Sequence, residues 1–372
     1  MGYVIRNLVR RSALLAPVGA LVGAGAFAGW QVPAAIGGQA RGPRLERMRR
    51  SPNFRDGAFH NSALTTVGTP SSGAMRDLVF GKEVRRPTRP VPLVHAPDLT
   101  TAADGLRVSW LGHATVFVEI EGQRFLFDPV WSERVSPSTV LGPKRLHPVP
   151  WSLADLPELD AVVISHDHYD HLDMMTVRRL VARQPSLRFV VPLGVGAHLE
   201  RWRVPEQNIV ELDWDERIAI GGVEVIATAA QHFSGRLRPA GNGTLWASWA
   251  LTGRDRRVFY TGDSGYFDGY ARIGAEYGPF DVTLIQVGAY SPYWPDIHMT
   301  PEEGVATHRA VRGGLLVPVH WATFNLAMHS WSEPVERLLK EGDGLRVAVP
   351  RPGEALDVDD APRPDGWWRA VA

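Results

Sequence analysis

The chain contains no cysteine. That excludes disulfides, thiolate metal sites, cysteine nucleophiles and any lipid anchor attached through cysteine. There is no Gly-x-Ser-x-Gly elbow of the kind that carries a serine nucleophile. No RNA- or DNA-binding motif and no strip of interleaved aromatic and basic residues is present, so no nucleic-acid partner is expected. Internal repeats are absent as well. Overall charge is also lacking, because 40 basic residues balance 40 acidic ones. What remains is ordinary globular composition, 44% apolar and 22% charged over 372 residues. That is room for one large domain with extensions or two ordinary ones.

The balance of charge hides an uneven spread. Through Asp56 there are nine arginines and no lysine against Glu46 and Asp56, a local excess of +7. Such a basic front end suits an anionic membrane surface. Arg6, Arg10 and Arg11 precede an uncharged run that lasts to Ala40. Its centre is rich in Ala, Gly, Leu and Val, as in an export signal or signal anchor. Arg10-Arg11 followed by Ser-Ala-Leu-Leu loosely matches a twin-arginine signal, and Ala26 and Ala28 are small enough for cleavage. Residues 1–40 therefore read as a signal or anchor, which places the protein in a bacterial-type cell envelope; the alternative is the cytoplasm. Residues 41–104 are Arg-, Pro- and Gly-rich and read as an extended arm laid over the domain.

The most informative stretch is Ser165-His166-Asp167-His168-Tyr169-Asp170-His171-Leu172-Asp173. Imidazoles and carboxylates crowded this closely suit a divalent metal, zinc first, and Mn²⁺ or Fe²⁺ would accept the same donors. Residues 161–164, Ala-Val-Val-Ile, read as a buried parallel strand, and Asp173 as the cap of a following helix. The cluster thus falls on a strand-to-helix loop at the carboxyl end of a strand, where open α/β sheets place their sites.

Alternating or apolar runs predict further strands at 106–110, 115–120, 123–128, 188–191, 223–228, 245–251, 256–261, 282–287, 315–319 and 345–349. Glu121-Gly122 marks a hairpin. Thr300-Pro301-Glu302-Glu303 is a capping box that opens a helix. Hairpins early and strand–helix alternation later indicate an α/β chain with two mixed sheets and outer helices. His232, Asp263 and His320 each follow a predicted strand.

Taken in order, these phrases resemble the metallo-β-lactamase-fold hydrolases, and within them the N-acyl-phosphatidylethanolamine-hydrolysing phospholipase D family. The resemblance runs from about Leu106 to Glu354. It is carried by Trp110-Leu111-Gly112-His113-Ala114-Thr115, the His166-to-Asp173 run, Gln231-His232, Thr261-Gly262-Asp263-Ser264-Gly265-Tyr266, Gly288-Ala289-Tyr290 and His320-Trp321. It implies an αββα sandwich over 105–372 with a two-metal site at one edge. By the same resemblance His166, His168 and His232 hold one zinc, Asp170, His171 and His320 hold the other, and Asp263 bridges them around a hydroxide. Asp263, Asp170 and His298 are then the expected catalytic residues. Tyr169 and His298 match positions that reach a substrate phosphate.

Two divalent ions roughly 3.5–4 Å apart polarise a phosphoryl oxygen and acidify a shared water, which supplies a nucleophile at neutral pH. The expected activity is a phosphodiesterase of phospholipase D type. It would convert an N-acyl-phosphatidylethanolamine or similar phospholipid to phosphatidic acid and N-acylethanolamine. The alternatives are a lactonase or other carboxyl-derivative hydrolase with the same metals, and a di-iron redox protein. His113 and Asp128 are candidates to orient ligands from beneath. Tyr290, Tyr293, Trp294, Trp321, Phe324, Leu326, Met328 and Trp331 read either as plain packing or as a groove for acyl chains. The expected partners are a phospholipid substrate and a membrane surface; oligomeric state is left open, a homodimer included.

Overall fold

The computed structural model describes residues 32–63, 65–67, 73, 76–77, 80–236 and 241–372. The centre of the predicted leader, residues 1–31, lies outside the described residues. Two seven-stranded mixed sheets face each other. The first contains β3 (Leu106–Trp110), β4 (Val116–Ile120), β5 (Gln123–Phe127), β6 (Ala161–Val163), β7 (Arg188–Pro192) and β8 (Ile209–Leu212), with β16 (Ala355–Asp357) at its edge beside β3. The second runs from β9 (Arg217–Ile220) through β10 (Val223–Thr228), β11 (Ser248–Thr252), β12 (Arg257–Tyr260), β13 (Phe280–Gln286) and β14 (Gly313–Val319) to β15 (Arg346–Val347).

Strands buried on both faces separate two cores. Val116, Val118 and Ile120 of β4 join the core between the sheets, while Phe117 faces the opposite side with Val162, Ile164 and Phe189. Two helices close that second core, Met174–Arg183 and Gly196–Arg201. The helices Gly269–Glu276, Pro301–Ala310 and Glu333–Glu341 accompany the other sheet. This is the four-layer αββα arrangement expected from the sequence.

Local signals explain much of the frame. Asp173 caps the helix Met174–Arg183 by accepting from Met175 N. Thr300 and Glu303 form the predicted reciprocal capping box. Glu121 and Gly122 both have positive φ, the geometry of a tight hairpin. Glutamate is tolerated there because its carboxylate accepts from the backbone N–H groups of Arg254, Asp255 and Arg256.

Two expectations are corrected. Residues 245–247 do not pair within the strand predicted over 245–251. Leu245 N donates to Leu193 O and Ala247 N to Ser165 O, which ties this lead-in to the loops of the opposite sheet. The arm is not wholly extended: Gly42–Arg50 is a helix with proline in its first turn and Met48 buried. A two-stranded hairpin, β1 (Phe54–Arg55) with β2 (Ala58–Phe59), follows it. Residues 32–36, inside the predicted leader, are helical. They dock on the domain, where Trp202 Nε1 donates to Ala34 O at 2.7 Å. No helix among the described residues is long and apolar enough to cross a membrane.

Candidate metal centre

Strand direction brings the site together. β3 and β5 run antiparallel to β4, and β5 is parallel to β6, so β3, β5 and β6 end at one edge. In the other sheet β10 and β12 run antiparallel to β11, and β12, β13 and β14 are parallel. Each of these carboxyl ends carries a candidate: His113 after β3, Asp128 after β5, the histidine-rich loop after β6, and His232, Asp263, His298 and His320 after β10, β12, β13 and β14.

The side chains meet. Donor atoms of His166, His168 and His232 lie within 4.8 Å of one another, as do those of Asp170, His171, His320 and His113. Asp263 stands between the two groups: its Oδ2 is 3.1 Å from His171 Nε2 and 3.9 Å from both His166 Nε2 and His232 Nε2, and its Oδ1 is 3.1 Å from His320 Nε2. All seven predicted ligand residues therefore converge. His298 joins them, with Nε2 3.8 Å from Asp263 Oδ2.

The donor set fits divalent cations. His171 Nε2, His320 Nε2 and Asp263 Oδ1 are buried and, although each ring nitrogen lies 3.1 Å from an Asp263 oxygen, none of the three atoms is in hydrogen-bonding geometry. Orphans of this kind are costly in a folded interior unless something binds them. His232 Nε2 and His168 Nδ1 are 3.3 Å apart, close to the edge of roughly 3.3 Å that Zn–N bonds of about 2.0–2.1 Å give a tetrahedron, while His166 Nε2 and His168 Nδ1 stand closer, at 2.8 Å. His232 Nδ1 donates to Ile297 O at 2.9 Å, which leaves the Nε2 lone pair turned inward.

Charge in the cluster is strongly coupled. Burial works against protonation of His171, but the carboxylates of Asp263, Asp170 and Asp128 together hold its pKa well above the usual histidine value. His320 is likewise opposed by burial and raised by Asp263 and Asp170. Burial would raise Asp170 and Asp263, yet the surrounding imidazoles hold both well below the carboxylate range. Burial depresses His298 to about 4 and His113 to about 3, so both rings are neutral at pH 7.

Beneath the cluster, His113 Nε2 lies 2.9 Å from Asp170 Oδ2, and Asp128 Oδ2 lies 2.7 Å from His171 Nδ1. Both are placed to orient ligands. Three braces carried no sequence signal. Arg236, fully buried, donates through Nη1 to Asp167 O (2.6 Å) and Leu172 O (2.9 Å), and through Nε to Ala35 O (2.9 Å). Asn61 of the arm exchanges hydrogen bonds with the backbone N and O of His232. Tyr260 donates to Asp128 Oδ2 at 2.6 Å.

Tyr169 lies in the loop, but its hydroxyl donates to Arg236 O at 3.0 Å and its ring carries the Arg236 guanidinium at 4.0 Å. The aromatic group divides. Trp321 stacks on Trp110 in the core, whereas Phe324, Leu326 and Trp331 line a pocket together with His113 and His320.

Residues 123–321 match the beta-lactamase superfamily domain. An uncharacterized protein of Mycobacterium tuberculosis is 49% identical, over 97% of this chain and all of that one. The N-acyl-phosphatidylethanolamine-hydrolyzing phospholipase D 1 of Caenorhabditis elegans is 38% identical, over 70% of this chain and 76% of the relative. Among solved structures, the isothiocyanate hydrolase from Delia radicum gut bacteria superposes with a TM-score of 0.55 at 21% identity, covering 68% of this chain and 98% of that one. The last of these bears on the fold alone.

Proposed function

Because this chain belongs to the metallo-β-lactamase superfamily of metal-dependent hydrolases, we propose that it is a zinc-dependent phosphodiesterase of phospholipase D type. Its substrate is an N-acyl-phosphatidylethanolamine or a similar phospholipid. One water is consumed, the bond between phosphorus and the ethanolamine oxygen breaks, and phosphatidic acid and N-acylethanolamine leave. The observation that carries this reading is the seven-residue His/Asp cluster with its orphaned inward atoms. The likeness to a relative named for that reaction over 70% of the chain supports it.

His166, His168 and His232 would hold one cation and Asp170, His171 and His320 a second, with Asp263 reaching both. Such a pair, when bound, supplies Lewis-acid polarisation and an acidified water. The chain's own residues do the rest. His232 is fixed by Ile297 O and by Asn61, His171 by Asp128, and Asp170 by His113. His298 stays neutral through burial and offers its ring to a phosphate oxygen or to the departing alkoxide. Tyr169 reaches a phosphate only by giving up its bond to Arg236 O. Phe324, Leu326 and Trp331 form an apolar wall beside His113 and His320.

The test is metal analysis of the purified protein together with a panel of phosphodiesters and lactones. Zinc near two per chain and release of N-acylethanolamine are expected. Turnover of lactones alone would overturn the phospholipase reading, and iron with visible absorbance would move the protein to the di-iron class.

A further inference from the structure

We propose that the loop over residues 132–145 is a bilayer-docking element whose tip, Val140 and Leu141, enters the edge of an anionic membrane. The proposal deepens the phospholipase reading by saying how a lipid surface meets the site.

Val140 and Leu141 are each 71% exposed. Two adjacent aliphatic side chains so open to water form a small apolar point, and it is framed by charge. Residues 135–143 carry none; at the base Lys144 pairs with Glu133 at 2.7 Å and Arg145 is buried, which leaves Arg134 as the net positive charge of the frame. An aliphatic tip with Arg134 at its base matches an interface of acyl chains under anionic headgroups.

The backbone of the tip supports the same conclusion. A chain segment entering lipid must satisfy its own polar groups, because no water is there to do it. Here Val140 N and Leu141 N both donate to Ser138 Oγ at 3.2 Å. Ser136 Oγ lies 2.7 Å from Ser138 O and 2.5 Å from Leu141 O. Arg134 Nη1 donates to Gly142 O at 2.7 Å, and Val135 N to Pro143 O at 3.1 Å.

The docking loop also shares a cavity with the histidine-rich loop. A cavity of about 170 Å³ separates the loop from the start of the helix Met174–Arg183, with Tyr169 and Asp173 on its wall and Met175, 40% exposed, on its rim. Tyr169 belongs to the histidine-rich loop itself. Seating the tip in a bilayer would bring that loop to the headgroup layer.

A chain without cysteine makes the test direct. Leu141→Cys in the full chain, labelled with an environment-sensitive NBD dye, reports only the tip. Asp343→Cys is the control; it precedes β15, at the sheet edge opposite the site. With phosphatidylcholine/phosphatidylglycerol vesicles the tip label should shift to the blue and brighten about twofold or more, and the control label should not change. This readout needs no turnover, so it stands or falls apart from the assigned reaction. A silent tip label while the protein sediments with vesicles overturns the proposal. So does a tip label already shifted without vesicles in a concentration-dependent way, which would assign the tip to a second copy of the chain. As a second arm, Val140→Ser combined with Leu141→Ser should raise KM for vesicle-borne lipid roughly tenfold. Its kcat/KM for a soluble short-chain diester should stay unchanged, and equal loss on both substrates would count against docking.

Discussion

Asp128 Oδ2 lies 2.7 Å from His171 Nδ1, and neither residue is exposed. The same carboxylate accepts from Ser165 N, Ser165 Oγ and Tyr260 OH, and Ser165 Oγ is 2.9 Å from His166 Nδ1. One aspartate therefore fixes a ring in each half of the cluster, one directly and one through a serine. It also ties the histidine-rich loop to β12 of the facing sheet.

Asp128→Asn should disturb ligands without disturbing the fold. Asp128 has φ +39°, a conformation asparagine adopts readily. An amide NH₂ facing His171 Nδ1 would favour the tautomer with its proton on Nε2, the atom that must be free to bind. Metal affinity should fall about 10- to 100-fold, measured by competition with a chromophoric chelator, with circular dichroism unchanged. Full affinity would remove Asp128 from the positioning role.

Arg236 acts through the backbone. Its guanidinium joins Asp167 O, Leu172 O and Ala35 O and lies between Tyr169 and Trp202. Arg236→Met should cost about 3 kcal/mol in urea unfolding, because buried carbonyls lose their donor. Arg236→Lys should recover little of it, since an ammonium cannot reproduce the planar fork.

The contrast between these two residues shows what the sequence reveals and what it hides. The ligands are legible because a metal demands particular side chains, and the strands before them demand apolar runs; both leave local patterns. His232, Asp263 and His320 each follow a predicted strand, but it is the resemblance that assigns them to the site. Asn61 and Arg236 act across 171 and about 70 positions through backbone atoms, and a lone Asn or Arg in a polar stretch has no periodicity to betray it. The helix Gly42–Arg50 was obscured by four arginines and a proline, which read as a loop; its formation depends on docking Met48 against Trp246 and Leu245. Apolar Leu-Trp-Ala at 245–247 predicts strand, but the partners of these residues are loops of the other sheet.

Asp263→Ala and His168→Ala should each abolish turnover and leave a folded chain. Besides His298 Nε2, Asp263 is within 4 Å of four ring nitrogens of the predicted ligands, spread over both halves of the cluster, so its loss should lower the bound metal from two toward one or none. His168 serves one group only, and its loss should spare the other cation. Metal analysis of the two variants separates these outcomes. Near-normal rates in both would contradict the assignment.

Metal binding should become tighter as pH rises, and the sign follows from the carboxylates. In the metal-free protein His171 and His320 are held protonated above the usual histidine range by Asp263 and Asp170, against the effect of burial. A cation needs their neutral nitrogens, so loading expels protons. Apparent affinity should therefore drop as pH falls from 8 to 6, by roughly tenfold per unit for each proton displaced. His147 and His308, both pushed by burial to about 4, stay neutral across that window and add nothing. Chelator competition at pH 6, 7 and 8, paired with proton release in weakly buffered solution, measures the slope and the stoichiometry independently. A flat affinity with no proton release would mean that the two rings are already neutral and that the carboxylates do not govern the site.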